Sequence, residues 1–215
     1  MPEKRGSPRS NQRLRTRKDL LDAARRLLKE RPTFTMDELA EEAMVSRATA
    51  YRYFPSMEAL LVEAPLDGAV PDPGDLFGED SSRDPVERLD RAEGKLHDMM
   101  YRNEARLRAM MVHSLKQWLT DGEHQVPVRQ NRRTALIEAA LAPARDRLDE
   151  ATYARLRAAL ALVFGTESML VFRDVVRLSE TEARQVKSWA LRALVRAALD
   201  ESRAKEKGER PELEP

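Results

Sequence analysis

One stretch of the chain has the side chains needed to hold a polyanion. Ser46-Arg47-Ala48-Thr49-Ala50-Tyr51-Arg52-Tyr53 contains two arginines, four hydroxyl groups and no acid. Arg47 and Arg52 attract phosphates, and a guanidinium fits the guanine edge with two parallel hydrogen bonds. Ser46, Thr49, Tyr51 and Tyr53 offer hydroxyls to phosphates or bases. Ala48 and Ala50 keep the segment slim, and their methyls can touch thymine methyls. Taken one feature at a time, this is also what a plain short helix with solvated arginines and core tyrosines looks like. Tyrosines two apart point about 200° away from each other on a helix, so one of the pair must face outward.

The flanking residues predict how this stretch is held. Thr35 and Glu38 have capping-box spacing, and Phe34 and Leu39 have the spacing of a hydrophobic staple. They predict a short helix from 36 to about 43. Met44 and Val45 make a tight connection, and Ser46 caps the next helix, through 53 or 54. Upstream, Leu20, Leu21, Ala24, Leu27 and Leu28 predict a helix over 13–30, stopped at Arg31-Pro32. An earlier helix supporting two short ones joined by a tight turn is a helix-turn-helix.

Composition agrees. Residues 1–57 hold 13 Lys/Arg and 8 Asp/Glu, a net of +5, so the rest carries −4 of the overall +1. A basic head on an acidic body suggests that the head meets a polyanion. The chain has no cysteine, which excludes disulfides, zinc thiolates and cysteine nucleophiles. His97, His113 and His124 lack metal-ligand spacing with carboxylates, and neither a glycine-rich phosphate loop nor a serine elbow appears. The reading is therefore no enzyme and no cofactor. A helical adaptor would explain the body but not the acid-free stretch. No secretion signal or membrane span is recognisable, since 158–172 is only 15 residues long and contains Glu167; a cytoplasmic protein is expected.

Strand patterns are almost absent, so the fold class is all-α, with about nine helices. A three-helix head at 13–57 follows a disordered basic arm at 1–12. A helical-bundle body covers 58–202, and 203–215 is expected as a disordered tail. In the body a fourth helix is predicted to begin near Met57, with Pro65 weakening or ending it. A loop follows over 67–85. Helices are predicted over 85–103, 104–119, 128–141 and 149–177, and from a Ser179/Glu182 capping box to about 202.

The stretch from Thr35 to Leu60 closely resembles the TetR family signature, without gaps. The resemblance implies a transcriptional repressor that binds double-stranded DNA as a dimer. It implies that Arg47, Ala48 and Tyr51 lie toward bases, while Thr49, Arg52 and Tyr53 hold phosphates. Thr35 would bind a phosphate at the start of its helix, and Arg13, Arg15 and Arg17 would reach a neighbouring groove or phosphate. Two residues depart from the pattern. Met44 stands where the family usually has Gly, and Met57 where many members have a phosphate-binding Lys.

The body is read mainly from its apolar faces. The helices around 153–177 and 180–199 are apolar on more than one side, which calls for both an internal core and a second subunit. The resemblance likewise implies a four-helix dimer interface. Met100, Leu107, Met110, Met111 and Trp118 are candidate walls for a small-molecule effector, with His113, Ser114, Gln117, Asn131 and Arg133 to orient it. A methionine stripe at helical spacing also suits an ordinary core. Glu167, alone among apolar residues, has three readings: a pair with Arg133, an anchor for a cationic ligand, or a contact across the dimer.

Overall fold

The computed structural model describes residues 8–78, 82–121 and 129–206. Residues 1–7 of the expected arm and 207–215 of the expected tail lie outside them. Among the described residues all regular structure is helical. The chain forms two compact units, one of 1–69 with 103–131, the other of 70–102 with 132–215. The predicted head, 13–57, lies wholly in the first.

In the first unit, α1 (Pro8–Glu30) starts five residues before the predicted Arg13. It buries Leu20, Leu21, Ala24 and Leu27 against α2 (Met36–Glu42), α3 (Arg47–Tyr53) and α4 (Met57–Ala69). The capping box forms as predicted: Glu38 N–H donates to Thr35 Oγ1 at 3.3 Å, and Thr35 N–H donates to Glu38 Oε2 at 2.6 Å. The α2–α3 turn has two crossed bonds, Val45 N–H to Ala40 O at 2.9 Å and Met44 N–H to Glu41 O at 3.0 Å. This is a Schellman closure, with Met44 at the left-handed position (φ +53°). Ser46 Oγ then caps α3 by accepting Thr49 N–H at 3.1 Å.

Of the two effects expected of Pro65, weakening or ending the fourth helix, ending is overturned. α4 continues through Pro65 to Ala69. Proline forfeits one bond to Leu61 O, and the burial of Ala64 and Leu66 holds the helix in place. α7 (Glu104–Asp121) packs along α4 and completes this unit.

The second unit begins with α5 (Pro73–Phe77), a short helix in the predicted loop. Asp72 caps it by accepting Gly74 N–H at 2.7 Å. α6 (Pro85–Arg102) packs on α8 (Arg133–Leu141) and α11 (Glu180–Glu206), and α11 also packs on α9 (Glu150–Val163). α11 runs past residue 202, so the first four residues of the predicted tail are helical.

The single helix predicted over 149–177 is broken. α9 ends at Val163, Gly165 takes φ +130°, and α10 (Thr166–Leu170) leads into a wider π turn over Val171–Val176. A residue far away in the chain packs over the break. Arg133 donates to Ala161 O at 2.7 Å, and its guanidinium carbon lies 2.6 Å from where a Cβ on residue 165 would stand. Only glycine fits under that side chain at this φ.

Candidate nucleic-acid interface

α3 sorts its residues cleanly. Ala50, Tyr53 and the capping Phe54 face the core, while Ser46, Arg47, Ala48, Tyr51 and Arg52 are exposed and Thr49 is half-buried. The outward face therefore carries both arginines and no acid. The two tyrosines divide as the 200° argument requires.

That division corrects the phosphate role expected for Tyr53. Its side chain is only 2% exposed and lies within the apolar cluster. Ala50 is also fully buried, so its methyl cannot meet a thymine.

Arg17 is corrected in the same way. It is 2% exposed and does not belong to a groove-reaching arm. It bonds Glu63 at 2.5 Å, donates to Tyr53 O at 2.9 Å and lies 4.2 Å over the Phe54 ring. Arg17 thus ties the end of α3 to α1 and α4. Arg13 and Arg15, four and two residues earlier on α1, are exposed.

Two intramolecular partners occupy the surface. Asp37 on α2 holds Arg47 at 3.2 Å, with both side chains exposed, and the Arg47 guanidinium lies 5.5 Å over the Tyr51 ring. Residues ten apart on different helices leave no local pattern, so sequence reasoning missed Asp37. Thr35 is exposed, but its hydroxyl donates to Glu38 Oε2 at 2.9 Å. The Thr35 backbone N–H and then its hydroxyl, with Arg31 beyond, hold the Glu38 carboxyl below its usual range.

The effector candidates do not share one site. Met110 and Ser114 line a small cavity in the first unit. Leu107 is packed in that unit, Met111 is half-buried, and Trp118 is exposed. Met100 is core in the second unit. There Arg133 pairs with Glu167 at 2.7 Å, which bears out the structural pair, though Glu167 is half-exposed and not deeply buried.

The second unit has its own unpartnered face. α11 buries Ala183, Leu191, Val195 and Ala198 on one side. On the other it exposes Val186 and Trp189 (71% exposed), with Ala193 and Ala197 in line. Leu162, Val175 and Val176 are exposed too. Among the described residues no helix is long and apolar enough to cross a membrane.

Residues 20–64 match the family model described as bacterial regulatory proteins, tetR family. No curated protein matches the sequence. Among solved structures, the chain resembles one described as the crystal structure of a TetR transcriptional regulator from Rhodococcus sp. RHA1. The TM-score is 0.50 at 24% identity, covering 84% of this chain and 96% of that one. At that identity the likeness supports the arrangement of a helix-turn-helix head with a helical body.

Proposed function

We propose that this chain, whose residues 20–64 match the TetR-family model, is a DNA-binding transcriptional regulator and acts as a ligand-responsive repressor that binds a near-palindromic operator as a homodimer. The observation that carries the DNA-reading role is the sorting of α3. Both arginines face outward on an acid-free helix, and the anchoring Ala50, Tyr53 and Phe54 face in.

In this reading Arg47, Ala48 and Tyr51 approach base edges, with Arg47 exchanging Asp37 for guanine. Ser46, Thr49 and Arg52 contact phosphates. Thr35 keeps its hydroxyl on Glu38, so a phosphate there is met by the free N–H groups that open α2. Arg15 lies within reach of a further phosphate. Tyr53 is left out of the contact set because it is core.

The apolar outward face of α11, with the exposed residues of 162–176, supports the dimer. Two reading helices about 34 Å apart would then enter successive major grooves. An effector acts by population shift, favouring a spacing of the two heads that the operator does not accept. The protein works on DNA in the cytoplasm, and no catalytic role is assigned.

The test is selection of bound duplexes from a random library with the full-length protein, followed by titration at several salt concentrations. One operator should be enriched, and affinity should fall steeply with salt. Arg47→Ala should cost about 1–3 kcal/mol on that operator and relax its preference. Arg52→Ala should weaken all duplexes alike and reduce the salt slope by about one. Failure to bind any duplex at low ionic strength defeats the reading.

A further inference from the structure

Behind the end of the reading helix, within the first unit, lies a cavity of about 170 Å³. Phe54 contributes from the α3 cap, Ala59 and Glu63 from α4, and Met110, Ser114 and Gln117 from α7. Its polar groups are not equivalent. Glu63 is occupied by Arg17 at 2.5 Å. Ser114 donates back to Met111 O at 3.1 Å, a bond internal to α7. Gln117 is different: it is only 8% exposed, and its buried Nε2 has no hydrogen-bond partner. A buried amide donor left unpaired is destabilising and calls for an acceptor.

We propose that this cavity binds a small organic acid with a ring-sized apolar body, its carboxylate oxygen accepting from Gln117 Nε2. Size sets the body, since a cavity of about 150 Å³ suffices for benzene. The walls Phe54, Ala59 and Met110 are apolar and suit a ring. Charge sets the head group. Arg17 and Glu63 cancel each other and His113 faces Glu58 at 3.7 Å, which leaves the exposed Lys116 at the lining as the group that favours an anion. Lys116 does not belong to the DNA-contacting set. The bound acid would touch Phe54, the residue that ends α3, so occupancy would reach the reading helix from behind. That consequence rests on the DNA-binding reading, whereas the site itself does not.

The probe is benzoate, with toluene as the ring that lacks an acceptor. Full-length protein carrying 13C-methyl methionine is titrated without DNA. Met110 reports the cavity, and Met169, buried in the second unit, serves as control. Benzoate should shift the Met110 signal saturably, at least tenfold more tightly than toluene, and leave Met169 unmoved. Gln117→Met keeps the side-chain length and should erase the benzoate preference. Gln117→Glu removes the donor, adds like charge, and should abolish benzoate binding. No saturable Met110 shift, equal affinity for the two probes, or an unchanged preference in folded Gln117→Met overturns the site. Saturating benzoate should also change affinity for the selected operator at least threefold. An unchanged affinity with the Met110 shift intact overturns the link to α3 and leaves the DNA-binding reading standing.

Discussion

α3 and α11 are both two-faced helices, and they differ in what the outward face carries. α3 turns Ala50 and Tyr53 inward and shows arginines, small residues and hydroxyls. α11 turns Ala183, Leu191, Val195 and Ala198 inward and shows Val186 and Trp189. Both inward faces bury apolar side chains, so amphipathic spacing alone says only that each helix has a core side. The partner is specified by the chemistry on the other side. Water tolerates the α3 face, and a polyanion gains from it through released counterions. Water disfavours the α11 face: burying a side chain like Trp189 gains about 2–3 kcal/mol. One helix can wait for its partner indefinitely, whereas the other favours an apolar partner at once.

The largest expected effect tests the α11 half of that contrast. Trp189→Arg places a charge at the centre of the apolar face. Trp189 is mostly exposed, so the fold of the protomer and its circular dichroism should be unchanged. Analytical ultracentrifugation should show monomers at micromolar concentration. Affinity for the selected operator should fall by more than about 100-fold, roughly 3 kcal/mol, because half of the site is lost. A variant that remains dimeric places the partner elsewhere and removes the contrast.

A second contrast lies between the buried ionic groups of the two units. Arg17 spends its donors on Glu63 and the Tyr53 carbonyl, and so fixes the reading helix. In the second unit Lys187 bonds Glu93 at 2.8 Å and lies 3.3 Å from His97 Nδ1, all three deeply buried. Burial, then the charges of Lys187 and Arg184, pushes the His97 imidazole down to about 4. Asp98 and Glu180 act the other way, and Tyr101 stacks on its ring. Burial raises the Glu93 carboxyl, partly countered by Lys187. Unfolding lets His97 take a proton near its free value of 6.5, which the folded chain resists. Stability carried by neutral His97 is therefore present above pH 6.5 and lost as pH falls toward 4. Protonation of Glu93 relieves its burial cost in acid but deprives Lys187 of its partner. Denaturant unfolding followed through Trp189 in a Trp118→Phe background should lose on the order of 2 kcal/mol over that window. His97→Gln should flatten the slope, and an equal slope in that variant would assign the acid sensitivity to other groups.

How much was legible in the sequence follows from how far apart the cooperating residues are. The Thr35/Glu38 and Ser179/Glu182 boxes formed as predicted because each needs only three residues of separation. The helix-turn-helix and the doubly apolar α11 were legible for the same reason, as periodic patterns. Arg17 was misassigned because Glu63, which buries it, is 46 residues away. The break at Gly165 was not read because the Arg133 side chain that packs over its positive-φ backbone comes from another helix and leaves no local pattern. Pro65 was read as a weak point or a stop from local rules, and packing overrode the loss of one hydrogen bond. The effector candidates were chosen by residue type, which does not show that Met110 and Met100 fall in different units.

The smallest effect concerns the turn that presents α3. Met44 sits at the left-handed position of the Schellman closure with its side chain 92% exposed. An L-residue there costs about 1–2 kcal/mol, and at that exposure its side chain returns little packing. Glycine removes the strain but loses about 0.5–1 kcal/mol in chain entropy. Met44→Gly should therefore stabilise the first unit by roughly 0.5–1 kcal/mol, read through Trp118 in a Trp189→Phe background. Met44→Ala keeps the Cβ and should give no such gain. Operator affinity should stay within about twofold, because Ser46 still caps α3 and Arg47 and Arg52 keep their places. A gain shared equally by Gly and Ala would mean that the exposed methionine side chain, and not the backbone, is what the turn pays for. In that case the left-handed backbone at residue 44 holds no strain for glycine to relieve, and the turn presents α3 without a conformational cost.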